Sequence, residues 1–199
     1  MCIICVSKRG IRQPSEETIR TMFARNPHGA GYMVARDGKV QISKGYMYVD
    51  EFLEAIEREH FTARDSVVYH FRISTQAGVN PEMTHPFPLS NRLRDMTALD
   101  LTCQCGVAHN GIIELTSNAW ENRYSDTALF IQKYLSRLIT RPDDLKDKEL
   151  LNRVGKLAGS KLAILDASGY VATVGDFIND RGLLDSNASF MRPRWELVG

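Results

Sequence analysis

The sequence predicts an α+β domain in which antiparallel sheets are covered by helices. Three observations lead there. Strand and helix signals come in separated blocks rather than in strict alternation, which argues against a doubly wound parallel sheet. Asp37-Gly38 and Asp166-Ala167-Ser168-Gly169 lie between β-branched and aromatic runs, as tight hairpin turns do. Residues able to cap helices, Ser15, Asp50 and Ser125, stand at the start of amphipathic runs. With 199 residues, no internal repeat and no low-complexity linker, residues 1–199 are expected to form one domain.

The elements follow in chain order. Residues 2–7 are a short apolar run that reads as a buried strand. Ser15 opens a helix to about Arg25 with Ile19, Met22 and Phe23 on one face, and Asn26-Pro27-His28-Gly29 breaks it. Residues 31–36 and 39–44 flank the Asp37-Gly38 turn. Asp50 caps a second helix, to about Glu59, whose buried face is Phe52, Leu53 and Ile56. Residues 66–73 lack any breaker and read as a buried strand, whereas 74–88 hold Gly78, Asn80, Pro81, Pro86 and Pro88. That loop is long enough to be functional rather than a connector. Residues 99–108 return to strand, and Asn110-Gly111 turns the chain. Ser125-Asp126 opens a helix with Leu129, Ile131, Tyr134, Leu135 and Leu138 on its apolar face, and a further helix covers about 147–157. Residues 161–165 and 170–174 form the second hairpin.

Composition excludes several classes of function. A hydrophobic content of 43% with 25% charged residues is that of a soluble globular protein. The formal net charge of +1 leaves no footprint for nucleic acid or an anionic membrane. No apolar run approaches the roughly 18 residues that span a bilayer, and the first residues lack the basic region and length of a signal peptide. The expected location is therefore the cytoplasm, where the four cysteines are thiols, ligands or nucleophiles rather than disulfides.

Cys2-x-x-Cys5 and Cys103-x-Cys105 could in principle supply four thiolates to zinc. On a strand, however, Cys2 and Cys5 point to opposite faces, and the Cys103-x-Cys105 spacing is not the usual two-residue knuckle. No metal and no cofactor are expected; a non-enzymatic zinc-binding or structural module is the competing reading.

Cys2 has a further possibility. Removal of Met1 would give one residue both a thiol and a free α-amine, with reference pKa values of about 8.5 and 7.7–8.0. Proton exchange between them is nearly isoenergetic, which suits an activated nucleophile without a histidine partner. The plainer alternative is a small buried strand residue.

Six stretches bear on that choice: the Cys2 start, Asn26-Pro27-His28-Gly29-Ala30-Gly31-Tyr32, His70-Phe71-Arg72-Ile73-Ser74-Thr75, Thr84-His85-Pro86-Phe87, His109-Asn110-Gly111-Ile112-Ile113 and Ser125-Asp126-Thr127. In this order they resemble the class II glutamine amidotransferases, members of the N-terminal-nucleophile hydrolase superfamily. The resemblance spans residues 2–130 and continues more weakly through 161–174 and 186–190.

It implies a four-layer αββα sandwich with antiparallel sheets and the mature N-terminus in the active site. It implies Cys2 as nucleophile toward the side-chain amide of glutamine, giving a γ-glutamyl thioester and ammonia, with the α-amine as base through a water. It gives the oxyanion to the side chain of Asn110 and the N–H of Gly111, the substrate carboxylate to Arg72, and the substrate ammonium to Asp126. Thr75 and His85 would hold the substrate or shape the wall around it, and His28 and His70 would be structural. Two departures stand out: Gln76-Ala77-Gly78 replaces the His-Gly that often follows the threonine, and Ala128 replaces a frequent glutamate. Since no synthase segment follows, the implied partner is a separate ammonia-accepting synthase. The nearest alternative is a stand-alone amidohydrolase acting on a γ-glutamyl or other amide.

Overall fold

The structure is a computed structural model and describes residues 1–74 and 78–191. Its strands are β1 (Ile3–Ser7), β2 (Ala30–Arg36), β3 (Lys39–Tyr46), β4 (Val67–Phe71), β5 (Phe87–Pro88), β6 (Asp100–Cys103), β7 (Cys105–Asn110), β8 (Lys161–Asp166), β9 (Val171–Val174), β10 (Ile178–Asp180) and β11 (Leu183–Asp185). Its helices are α1 (Glu16–Arg25), α2 (Val49–Glu59), α3 (Asp126–Phe130), α4 (Ser136–Leu138) and α5 (Lys148–Ala158).

The strands form two sheets, one ordered β10-β11-β1-β4-β2-β3-β6 and the other β5-β7-β8-β9. The pairings within both are antiparallel. This is the α+β class expected from the separated blocks and the two hairpins.

Alternation along β1 shows how the faces are used. Ile3 and Cys5 pack with Ile19, Met22 and Phe23 of α1 and Phe52 of α2, while Ile4 and Val6 face Ala108, Ala163 and Leu165 of the smaller sheet. The other face of that sheet, with Val107, Leu162 and Ile164, is covered by Leu129 and Phe130 of α3 and Val154 of α5. Both faces of β1 are thus buried, which is why its sequence is apolar without alternation.

Residues 99–108 are not one strand. The chain changes sheet at Gln104, ending β6 in the larger sheet and beginning β7 in the smaller. Gly106 permits the close approach beyond that point, since a Cβ there would lie 2.5 Å from Met33 Sδ. The switch also separates the two cysteines, Cys103 packing between the sheets and Cys105 on the helix-covered face. Among the described residues no group of three metal-ligating side chains is brought together. Likewise no described helix is long and apolar enough to cross a membrane.

Other expectations shift for local reasons. The cap position of α2 is Tyr48, without a side-chain cap, because the helix begins at Val49. Asp50 lies in its first turn, where a carboxylate is favoured by the helix dipole, and pairs with Arg20 Nη1 at 2.8 Å. Asn110 closes β7 rather than forming a two-residue hairpin; the chain leaves through an irregular stretch to residue 125. The helix expected from Ser125 runs as α3, a π-helical turn over Ile131–Leu135, and α4. Strands β10 and β11 are three residues each, too short for a periodicity signal to announce them.

Candidate active site

Antiparallel pairing of β1 with β4 sets Ile3 opposite Phe71, so the start of one strand meets the end of the other. Cys2 and Arg72 therefore leave the ladder side by side. Gly111, following β7, faces them from the smaller sheet, and Ser125, Asp126 and Thr127 at the start of α3 supply a third wall. With Met1, Ser74 and His85 these residues line a cleft of about 70 Å³. Five predicted positions, Cys2, Arg72, His85, Gly111 and Asp126, thus converge on one place. Of the other two predicted positions, Asn110 stands behind the cleft and Thr75 lies outside the described residues.

Cys2 is 8% exposed, and its Sγ is 3.6 Å from the carbonyl oxygen of Ile73. Burial raises its thiol pKa, with the Arg72 guanidinium and the N-terminal charge pulling the other way. A thiol in this setting is protonated at neutral pH and requires a base to become nucleophilic. Arg72 is buried, with its backbone N–H donating to Gly29 O at 2.8 Å and its carbonyl accepting from His28 N–H at 3.0 Å. Burial lowers its pKa, while the charges of Cys2 and Asp126 favour the cation.

Ser125, rather than Asp126, is the cap of α3, accepting from Ala128 N–H at 3.2 Å. Asp126 is free of that duty, yet it is fixed: Oδ2 accepts from Ile113 N–H and Oδ1 from Thr127 N–H, both at 2.7 Å. A cation and a carboxylate therefore flank the sulfur. Asn110 does not line the cleft. It is buried one residue behind Gly111, with Nδ2 donating to Ser186 Oγ at 2.9 Å and Oδ1 without a partner among the described residues.

Gly111 has φ +146°, and a Cβ there would stand 2.5 Å from Ser160 Cβ. Gly111→Ala is expected to lose about 1–3 kcal/mol from the backbone conformation alone, with a further cost from the contact. Thermal or urea unfolding measures this; an unchanged midpoint would contradict it.

Three histidines are buried around the cleft. His70 Nε2 lies 2.9 Å from His109 O, and His109 joins Thr127 Oγ1 and Ser160 Oγ, each at 2.7 Å. The His85 ring sits 4.2 Å from that of His70, and neither of its nitrogens has a partner among the described residues. Burial holds His70 at about 3 and His109 at about 4 and drives His85 well below the ordinary range. The same residues in an unfolded chain titrate near about 6.5. Acid thus protonates the unfolded chain first, removing about 1.4 kcal/mol per histidine per pH unit below that value.

Asp185 acts in the opposite sense, because burial raises it to about 6 and the folded chain takes up its proton first. The balance is a loss of roughly 3 kcal/mol per pH unit between about pH 6 and 4. Urea midpoints at pH 7, 6 and 5 read this directly, and a midpoint that does not fall would refute it.

Several supporting residues lie in stretches that carry the resemblance, but the sequence assigned no contact to Ser186, Asn187 or Asn26. Ser186 Oγ accepts from both Ile4 N–H and Asn110 Nδ2, and its carbonyl accepts from Lys161 Nζ. Asn187 Nδ2 donates to the Cys2 carbonyl at 2.7 Å, and Asn26 Nδ2 to the Met1 carbonyl at 2.9 Å. His28 Nδ1 accepts from Ser74 N–H at 2.9 Å, a structural role of the kind expected for it. These are single polar side chains with no periodicity, and only folding reveals what they touch. No protein-family model matches the chain, and no curated protein matches it.

Proposed function

We propose that the protein is a cysteine-dependent glutaminase of the class II amidotransferase type, supplying ammonia to a separate synthase in the cytoplasm. One observation supports it above the others. Cys2 sits in a cleft between Arg72 and Asp126, the pair of charges that a free amino-acid head group requires. The order of layers, helices on a sheet facing a second sheet covered by helices, fits the four-layer αββα sandwich of N-terminal-nucleophile hydrolases.

Removal of Met1 exposes the α-amine of Cys2, which takes the thiol proton. The sulfur attacks the side-chain amide carbon of glutamine; ammonia leaves, and water releases glutamate from the γ-glutamyl thioester. Gly111 N–H is the oxyanion donor at the cleft wall, and Asn110 Nδ2, behind it and outside the cleft lining, joins it only by turning forward as substrate binds. The bond of Asn110 to Ser186 uses one of two amide N–H groups, so the other remains for this purpose. Arg72 takes the α-carboxylate as a fork, Asp126 the α-ammonium, and His85 shapes the wall.

The test is to incubate protein of confirmed mature mass with glutamine and measure glutamate and ammonia. Absence of turnover alongside cleavage of another amide would favour a stand-alone amidohydrolase. Stoichiometric metal without labelling of Cys2 by a glutamine-like electrophile would favour a structural module.

A further inference from the structure

Asn26 closes α1 and is 3% exposed. Its Nδ2 donates to Phe71 O at 3.1 Å and to Met1 O at 2.9 Å. The first bond anchors the amide to the end of β4. The second aims its other N–H at an atom of the residue that maturation removes. A peptide carbonyl oxygen lies about 2.3 Å from the following nitrogen by standard geometry. Asn26 therefore marks a point immediately beside the nitrogen that becomes the α-amine of Cys2. Asn187 fixes the carbonyl of the same residue at 2.7 Å, so Cys2 is held from both sides.

We propose that in the mature protein Asn26 is a positioning residue, holding a water beside the point where the Met1 carbonyl oxygen stands, moved out to hydrogen-bonding distance from the nitrogen, between the thiol and the α-amine of Cys2. The proposal rests on the Cys2 glutaminase reading. A buried N–H deprived of its acceptor is unfavourable, and a buried water is stable with two to four polar partners. Here those are Asn26 Nδ2, the α-amine and the thiol. Direct transfer from sulfur to nitrogen within one cysteine closes a cramped five-membered ring, whereas a bridging water allows nearly straight hydrogen bonds.

During acylation the S–H proton passes to the water as the water gives one of its own to the α-amine. The sulfur pair forms the C–S bond, and the carbonyl pair moves onto oxygen. On collapse the ammonium proton returns through the water to the leaving nitrogen, the C–N bond breaks, and neutral ammonia departs.

Glutamine hydrolysis by the full chain, by Asn26→Ala and by Asn26→Asp, each shown mature by intact mass, tests this. Asn26→Ala is expected to lower kcat at least about tenfold with KM nearly unchanged, since Asn26 touches no substrate. The kcat of the unaltered protein in mixed H₂O and D₂O should give a curved proton inventory, from two protons in flight, and Asn26→Ala a straight one. Asn26→Asp places a carboxylate beside the amine and should move the acid limb of kcat/KM up by about one pH unit.

A straight inventory for the unaltered protein overturns the proposal, as does Asn26→Ala turning over at its rate. If a variant misfolds or keeps Met1, the inventory of the unaltered protein decides. Mature protein with no glutamine turnover would instead overturn the glutaminase reading, a result distinct from active protein with a straight inventory.

Discussion

On the proposed glutaminase reading, Cys2→Ala is expected to leave glutamine hydrolysis at background, a loss on the order of 10⁴-fold or more, in a protein that still folds. The sulfur lies just outside β1 and is held only by a long contact to Ile73 O at 3.6 Å, so its removal opens no core. Its truncation should cost about 1 kcal/mol. Cys5→Ala separates chemistry from packing. Cys5 is fully buried against the helix-covered face of the larger sheet, so its loss weakens the fold and spares the rate. Burial also raises the thiols of Cys103 and Cys105, to about 12 and 11, which keeps them protonated and poorly reactive. A glutamine-like electrophile should therefore mark the Cys2 peptide alone. Label on another cysteine, or turnover by Cys2→Ala above about a hundredth of the original rate, would contradict the assignment.

Arg72→Lys is expected to raise KM for glutamine by about 10- to 100-fold and to change kcat far less. Lysine keeps the charge but loses the two-pronged contact with a carboxylate, and a charge-assisted hydrogen bond is worth about 1.5–3 kcal/mol. Because Arg72 is buried, the unfolding midpoint must be measured beside the kinetics. Asp126→Asn is the companion change. Its carboxamide oxygen can keep the bond from Ile113 N–H but its Nδ2 cannot accept from Thr127 N–H, so the charge is lost at the cost of one backbone bond and the unfolding midpoint is measured here too. Its KM penalty should appear with glutamine and vanish with an amide lacking the α-amino group. Equal penalties for both substrates would show that Asp126 only braces the wall.

The fold was legible wherever a periodic signal had room to repeat. The hairpin around Asp37-Gly38 follows from its turn residues, and the buried face of α1 from side-chain spacing. The sheet change at Gln104 left no mark, because β6 and β7 are both extended and only tertiary packing tells them apart. Asp50 looked like a cap because its side chain can be one, and the actual helix start lay just before it.

The cleft was legible through residues whose chemistry is distinctive, such as Cys2, Arg72 and Asp126. Asn110 was harder. Its neighbour Gly111 reaches the cleft, but its own amide is tied to Ser186, and no spacing rule links positions so far apart in the chain. Asn26 read as a helix breaker and as part of a motif, without a role of its own, since an asparagine side chain does not announce which carbonyl it will meet.

The pairing of Cys5 with Asp185 has a consequence for how the molecule is made. β11 leaves the ribosome roughly 180 residues after β1, so β1 waits for one of its two neighbours while the intervening chain is made. During that interval the amino terminus is an extended segment within reach of a processing peptidase. Docking of β11, followed by Ser186 on Ile4 and Asn187 on Cys2, then closes it in. On the proposed reading of Cys2, trimming of Met1 would come before this locking.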